Sequence, residues 1–526
     1  MKRTPIFLTL SVLVLSLLVS SCTKDLDRTP FVEVTSATVY NDPNNYKQIL
    51  AKLYAGLAVS GQQGPAGKPD ISGIDEGFST YLRQYWKAQE LPTDEAVIGW
   101  NDGSLPDYHY MKWTAGNEFI TAMYNRIYYQ ITLCNEFIRE TTDAKLASRG
   151  VSGNADIKAY RAEARFLRAL SYYHALDMFG SVPFVTEADA VGSFLPTQIS
   201  RSDLFNYIES ELKAIENELV DARKNEYARA DKGAAWALLA KLYLNAEVYI
   251  GQAKYTEAIT YCNKVIGGGY VLDATYRTLF LTDNNKSSEI IFPIAFDGTR
   301  TKTWGGMTFL VHAPVGGNMN PADFGINGGW GGLRTTKEFV GLFSDISGKT
   351  DRRAMFHTDG QKLEIAEIPT FTDGYAITKY RNVSSTGAKG SDIEGNFPDT
   401  DFPMFRLADV YLMYAEAVLR GGSGGTTALA LQYFNALRQR AYQGASGNVT
   451  SLTLDLILQE RGRELYWEGH RRTDLIRFKR FTTNSYLWAW KGGIKDGRAV
   501  SDNLNVFPIP ASDVVANPNL KQNAGY

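Results

Sequence analysis

The sequence predicts a mostly α-helical fold, built from tetratricopeptide-like helix pairs and interrupted by long glycine-rich loops. Three observations predict it: apolar residues recur at steps of three and four, small residues sit where paired helices must approach, and two long excursions keep no helical period. Ala159 to Met178 places Ala162, Phe166, Ala169, Leu170 and Tyr173 on one apolar face, with Arg161, Glu163, Arg165 and Arg168 elsewhere. That helix stops at Phe179-Gly180, with Pro183 beyond. Leu204 to Leu219 is a second helix, capped by Ser202 or Asp203. Lys232 to Tyr249 and Tyr255 to Ile266 form a pair split by Gly251, with Ala234, Ala235, Ala240 and Ala258 at the close approaches, and it reads like a tetratricopeptide unit. A similar pair recurs at Leu407 to Arg420 and Thr427 to Tyr442, around Gly421-Gly422-Ser423-Gly424-Gly425. Two pairs fall short of the three repeats a continuous array normally needs.

Residues 61–107 and 296–332 are rich in glycine, proline, asparagine and tryptophan. Loops this long are usually functional, so a ligand is to be sought there. Trp86, Trp100, Trp304 and Trp330 fall inside or beside them rather than on helical apolar faces. Sugar rings present C–H surface that desolvates well against indole, and their hydroxyls want Asp, Asn and Arg. Asp75 and Arg83 accompany the first excursion and Asn327 the second, a grouping that points to glycan binding.

At the amino terminus, Lys2 and Arg3 precede an apolar run from Ile6 to Val19, the layout of a secretory signal over residues 1–21. No later segment approaches the 18 or so apolar residues of a spanning helix. Val19-Ser20-Ser21-Cys22 resembles a bacterial lipobox, which predicts acylation of Cys22 and a membrane tether. The 55 Lys and Arg nearly balance 57 Asp and Glu, so no sequence-wide attraction to nucleic acid is expected. Three cysteines, Cys22, Cys134 and Cys262, exclude a disulfide scaffold, and the last two sit in helical patterns as buried thiols.

Catalytic motifs are missing. No two of His109, His174, His312, His357 and His470 lie four residues apart, which removes the zinc-protease pattern. Gly61 to Lys68 is one residue off the phosphate-loop spacing, and Ser347-Gly348-Lys349-Thr350 has Phe343 at the first glycine position, so both fail. There is no Gly-x-Ser-x-Gly elbow. A glycosidase needs only two carboxylates, which leaves a hydrolase as a further alternative. The charge run Glu460, Arg461, Arg463, Glu464, Glu468, His470, Arg471, Arg472, Asp474 and Arg477 reads as one salt-bridged helical stretch, with Leu465, Tyr466, Leu475 and Ile476 packing inward. Asp399 and Asp401, two residues apart in a loop, offer hard oxygen ligands of the kind calcium takes.

Several motifs resemble the SusD/RagB family of Bacteroidetes outer-membrane lipoproteins. They include Arg161 to Leu170 followed by Asp177-Met178-Phe179-Gly180-Ser181-Val182-Pro183, Leu242-Tyr243-Leu244-Asn245-Ala246, and Glu289 to Ile294. Arg461 to Tyr466 running into Gly469 to Leu475, and the ending Phe507-Pro508-Ile509-Pro510 with Asn517 to Tyr526, belong to the same set. The resemblance runs from Cys22 to Tyr526 and implies a single domain over 22–526, with tetratricopeptide-like repeats packed against a loop-rich, ligand-binding half. It implies a non-enzymatic protein, lipid-anchored on the cell surface, that hands glycan to a SusC-like TonB-dependent transporter.

Aligned with the family's founding starch-binding member, an aromatic arc for a curved α-glucan falls on Trp100, Trp304 and Trp330, with Asp75 and Arg83 at hydrogen-bonding positions. Gly103 replaces a sugar-binding asparagine and Trp304 a tyrosine, so an α-glucan such as starch or dextran is expected while its linkage stays open. A fructan, or a peptide as in RagB-like relatives, is the alternative. The same alignment implies a calcium site at Asn285, Asp399 and Asp401, weakened because Asn285 stands for an acid.

Overall fold

The structure, a computed structural model, describes residues 39–65, 67–192 and 194–526. The signal segment, the lipobox and Cys22 lie outside the described residues. With 44% of residues helical and 6% in strands, the mostly α-helical expectation holds. Residues from Lys47 to Tyr526 cluster as one unit, apart from the residues up to Tyr46.

The scaffold is a succession of packed helices in chain order. Glu118–Glu140 packs on Ala155–Phe179, which packs on Arg201–Ile215. Lys232–Leu244 then packs on Tyr255–Ile266, that helix on Leu407–Leu419, and the last on Thr427–Tyr442. The small residues act as expected: Ala234, Ala235, Ala240 and Ala258 are buried where Lys232–Leu244 meets Tyr255–Ile266. Two boundaries differ from the sequence reading. The helix before residue 215 starts at Arg201, with the Ser200 side chain accepting from the Asp203 amide, so the cap lies earlier than Ser202 or Asp203. The stretch from Lys232 breaks at Asn245 into Lys232–Leu244 and Ala246–Ile250.

The first excursion contains a helix, Tyr81–Glu90, all ten residues of which are buried. It is capped by Thr80, whose side chain accepts from the Arg83 amide at 3.3 Å. Trp86 therefore belongs to the core and not to a loop: its Nε1 donates to the Trp467 carbonyl at 3.0 Å, and the two indoles meet edge to face at 5.2 Å.

The charge run from Glu460 also departs from expectation. It forms two helices, Leu454–Leu465 and Arg471–Arg477, and its charges point into the protein. Arg406 pairs with Glu289 at 2.9 Å, Glu464 at 2.7 Å and Glu468 at 2.6 Å, and all four side chains are essentially inaccessible. Arg353 pairs with Asp351 at 2.8 Å and Glu460 at 2.7 Å, while Arg440 joins Glu289 and Glu464. Arg461 binds Asp409 and Asp474, and Arg477 binds Glu416 and Asp474. Burial alone would raise the Glu464 pKa, but Arg440, Arg406 and Arg353 together hold it down to about 2. These charges are not a solvated face; they are a lattice that ties the helical repeats to the segments between them. Leu465, Tyr466 and Leu475 do pack inward, while Ile476 is half-buried. Cys134 and Cys262 are free and buried, and burial pushes the Cys134 thiol up to about 12, as suits an inert core residue.

Candidate binding site

The two excursions are zipped together. Val97–Ile98 pairs antiparallel with Leu333–Arg334, and the Gly99 amide continues the ladder to the Gly332 carbonyl at 2.9 Å. This pairing places Trp100, two residues past the first strand's end, beside Trp330, three residues before the second. Their ring centroids lie 6.2 Å apart at 46°. Only glycine fits at 332, because a Cβ there would lie 2.4 Å from Cε2 of Trp100. The Trp330 amide donates to the His312 carbonyl, and the imidazole of His312 stacks on the Trp330 ring at 5.0 Å and 25°.

Trp304 completes the row, 6.4 Å from Trp330 at 58°. Its loop is held at the start of the Tyr81–Glu90 helix, where the Gly306 amide donates to Oγ1 of Thr80 at 3.0 Å. Phe397 supports the other face of Trp304 at 5.0 Å. The three indoles are each half-buried, so they form a continuous aromatic surface that is braced from behind and open in front.

The polar residues of the sequence reading surround this surface. Asp75 is exposed near Trp304, both side chains lying within 4 Å of where a Cβ on Gly77 would stand, and its Oδ1 accepts from the Phe78 amide at 3.1 Å. Arg83 lies against the wall, with its guanidinium 4.4 Å over the Phe309 ring and 5.9 Å over Trp100. Its Nη1 donates to the carbonyls of Gly77 and Trp304, both at 3.1 Å, and so pins the Trp304 loop. Burial lowers its pKa to about 10, against the pull of Asp102 and Asp75. Its Nε is buried without a partner, and Nη2 donates to nothing among the described residues.

Sequence reasoning missed the groups supplied from elsewhere. Phe309 and His312 sit on the short helix Gly306–His312, and Asn396 and Phe397 come from a loop about 70 residues later in sequence. Both ring nitrogens of His312 face carbonyls, Gly328 at 2.7 Å and Asn396 at 2.9 Å, although a neutral imidazole can donate only once. Burial lowers its pKa while the two carbonyls act the other way. Asn327 donates to Oδ1 of Asn396 at 2.7 Å, which continues a polar edge beside Trp330. The apolar run Leu310-Val311 ahead of His312 was the one available signal for this bracing. Gly103 has φ 47°, and a Cβ there would strike Oε1 of Glu118, so no side chain reaches the wall from that position.

The residues do not fit a calcium cage. Oδ1 of Asp399 accepts from the Gly298 amide and the Ser391 hydroxyl, and Oδ2 from the Ser391 amide. Asp401 accepts from the Phe296 amide at 2.8 Å and from the Tyr227 hydroxyl. Burial raises the Asp401 pKa to about 6, against those donors, and the nearby Asp399 acts in the same direction as burial. Asn285 is exposed, and its neighbour Asn284 is what holds the Asp401 backbone. Among the described residues no group of three or more His, Cys, Asp or Glu side chains is placed to hold a metal.

Comparison with known proteins agrees with this architecture. The starch-binding protein SusD of Bacteroides thetaiotaomicron is 36% identical, over 98% of this chain and 97% of its own. A SusD-like protein of Bacteroides ovatus is 25% identical over 96% of each. Among solved structures, the surface glycan-binding protein A of Bacteroides fluxus shares the fold with a TM-score of 0.70 at 20% identity, covering 92% of this chain and all of that one. The family described as starch-binding and associating with the outer membrane matches residues 31–244, and the SusD family matches residues 366–526. With that match and a relative above one-third identity along nearly its whole length, the chain belongs to the SusD/RagB family.

Proposed function

We propose that this protein is a cell-surface glycan-binding lipoprotein that captures an α-glucan such as starch or dextran and passes it to a SusC-like TonB-dependent transporter. The observation that carries the proposal is the continuous row Trp100, Trp330 and Trp304, half-buried and braced from behind. Glucose rings present C–H surface to an indole, and a row of indoles tilted by 46° and 58° suits a chain that curves rather than one that lies flat. The name of the starch-binding relative points to the same ligand class. Asp75 and Nη2 of Arg83 supply an acceptor and a donor for hydroxyls along the rim.

Its role is capture and release rather than hydrolysis, and dissociation constants from about 1 mM to 1 μM, or about 4 to 8 kcal/mol, suit that role. Attachment to the outer membrane runs through acylated Cys22, and Cys22→Ala is expected to release a folded protein from membranes.

Isothermal titration of the soluble chain with maltoheptaose, an isomalto-oligosaccharide, a fructan and mixed peptides tests the ligand. Binding of an α-glucan that Trp330→Ala abolishes, with an unchanged melting temperature, supports the proposal. Binding of fructan or peptide alone replaces the ligand, and reducing ends released at enzymatic rates overturn the non-catalytic role.

A further inference from the structure

The loop between the helix Gly306–His312 and the strand at Leu333 has two working faces. One carries Trp330. The other, around Asn318 to Phe324, lines an open cleft of about 690 Å³ together with Phe356, His357 and Arg381. That volume is in the range of small-ligand sites. We propose that this cleft is a second carbohydrate subsite, taking a neutral sugar ring rich in hydroxyls, so that a long glycan is held at two points. The inference rests on the glycan-binding reading of the indole wall.

Arg381 is the first observation. Its guanidinium lies flat over the Phe324 ring at 4.7 Å, yet it donates no hydrogen bond among the described residues. Its Nε is out of water and unpartnered. A guanidinium presents five donors in a fixed fork, and leaving them unused beside a cleft is costly unless a ligand or water accepts them. The remainder of the lining is built to match. Asn318 bridges His357 at 2.8 Å and Asp359 at 2.7 Å, and Asn320 donates to Asp323 at 3.2 Å, so the amides that line the cleft are held in place. Phe356 is half-buried and gives an apolar surface against which a ring can lie.

The charge balance selects the ligand class. Asp323 lies close enough to Arg381 to stabilise its charge without forming an ion pair, so an incoming anion would meet that carboxylate as well as the guanidinium. Vicinal hydroxyls can accept from Arg381 and donate to Asp323 together. A neutral sugar therefore fits better than a uronate or phosphate.

Two-point attachment makes a distinction between short and long ligands. Arg381→Gln should weaken binding of soluble starch or dextran by roughly tenfold while leaving maltoheptaose at the indole wall unchanged. In a Trp330→Ala background, millimolar maltoheptaose should still give saturable shifts by NMR. Those shifts should vanish when Arg381→Gln is added, and Asn318→Ala serves as a second cleft variant should Arg381→Gln lower the melting temperature. The cleft alone is overturned if the parent binds at the wall but neither cleft variant alters polymer affinity or the residual NMR signal. It is also overturned if galacturonate competes for the cleft better than maltotriose. A parent that binds no glucan overturns both the wall and the cleft.

Discussion

The buried ion lattice and the indole wall handle charge in opposite ways. Around Arg406 and Arg353 every carboxylate meets a guanidinium, and Glu464 alone serves Arg353, Arg406 and Arg440. Arg83, Asp401 and Lys87, by contrast, form no ion pair among the described residues. The Arg83 side chain bonds only carbonyls, that of Asp401 only an amide and a hydroxyl, and the Lys87 ammonium has no hydrogen-bond partner among the described residues. The Lys87 ammonium is walled by Phe119 at 4.2 Å, Phe78 at 5.5 Å and Phe309 at 5.8 Å. The difference teaches where this fold keeps its stability and where it keeps its surface for a ligand. Paired charge locks the helices together, while the side facing the ligand carries groups whose needs are only partly met.

The strongest way to break that contrast is in the lattice. Arg406→Ala takes one shared cation from Glu289, Glu464 and Glu468 in the core and should cost about 3–5 kcal/mol, seen as a collapse of the urea or thermal midpoint. A loss below about 1 kcal/mol would mean that the lattice is not what holds the repeats.

Asp401 tests the other side. Its folded pKa, about 6, lies above the ordinary carboxylate value, so the folded state holds the proton more tightly than the unfolded chain does. Stability should therefore be full near pH 4 and fall by on the order of 2–3 kcal/mol as the pH rises through 6. Asp401→Asn should flatten that part of the pH profile, and an unaltered profile would place the titration elsewhere.

At the wall, Trp304→Ala should cost roughly 1–3 kcal/mol of glycan binding, by analogy with bases stacked on aromatic platforms, while the melting temperature moves little. Trp304→Tyr should restore most of that affinity in the same titration. If instead the alanine variant melts early and binds normally, the indole is a loop anchor.

The smallest effect is expected at Lys87. Burial lowers its pKa well below the ordinary value, so the folded state disfavours its proton, a penalty that fades as the pH rises toward that of the free side chain. Lys87→Met should raise stability by roughly 1 kcal/mol at neutral pH with glycan affinity unchanged. A destabilised variant would show that the phenylalanine cage favours the cation after all.

The same division decided what the sequence could reveal. Tyr255–Ile266 and Thr427–Tyr442 have the bounds that periodicity predicts, because each buries one face and exposes the other. Tyr81–Glu90 hid from that test because every face of it is packed, with Arg83, Gln84, Lys87 and Glu90 buried among the apolar residues. The charge after Glu460 read as one salt-bridged helical stretch for a related reason: its partners, such as Asp94, Arg353 and Arg406, lie far away along the chain. The tryptophans of the wall could be picked out because they stand in glycine-rich loops. Their bracing by Phe309, His312 and Phe397 is tertiary and left no local pattern.

The lattice also sets an order of events for the growing chain. Arg353, Arg406 and Arg440 are made before Glu460, Glu464 and Glu468, and Glu289 before all six. Until the helix Leu454–Leu465 and the turn after it exist, those arginines have few or none of their carboxylates, and water serves them better than the interior does. The amino-terminal repeats can form early, but the middle of the protein has to wait for the segment that begins at Leu454, so a chain cut short before Glu460 should stay open to proteases instead of settling into a smaller native form.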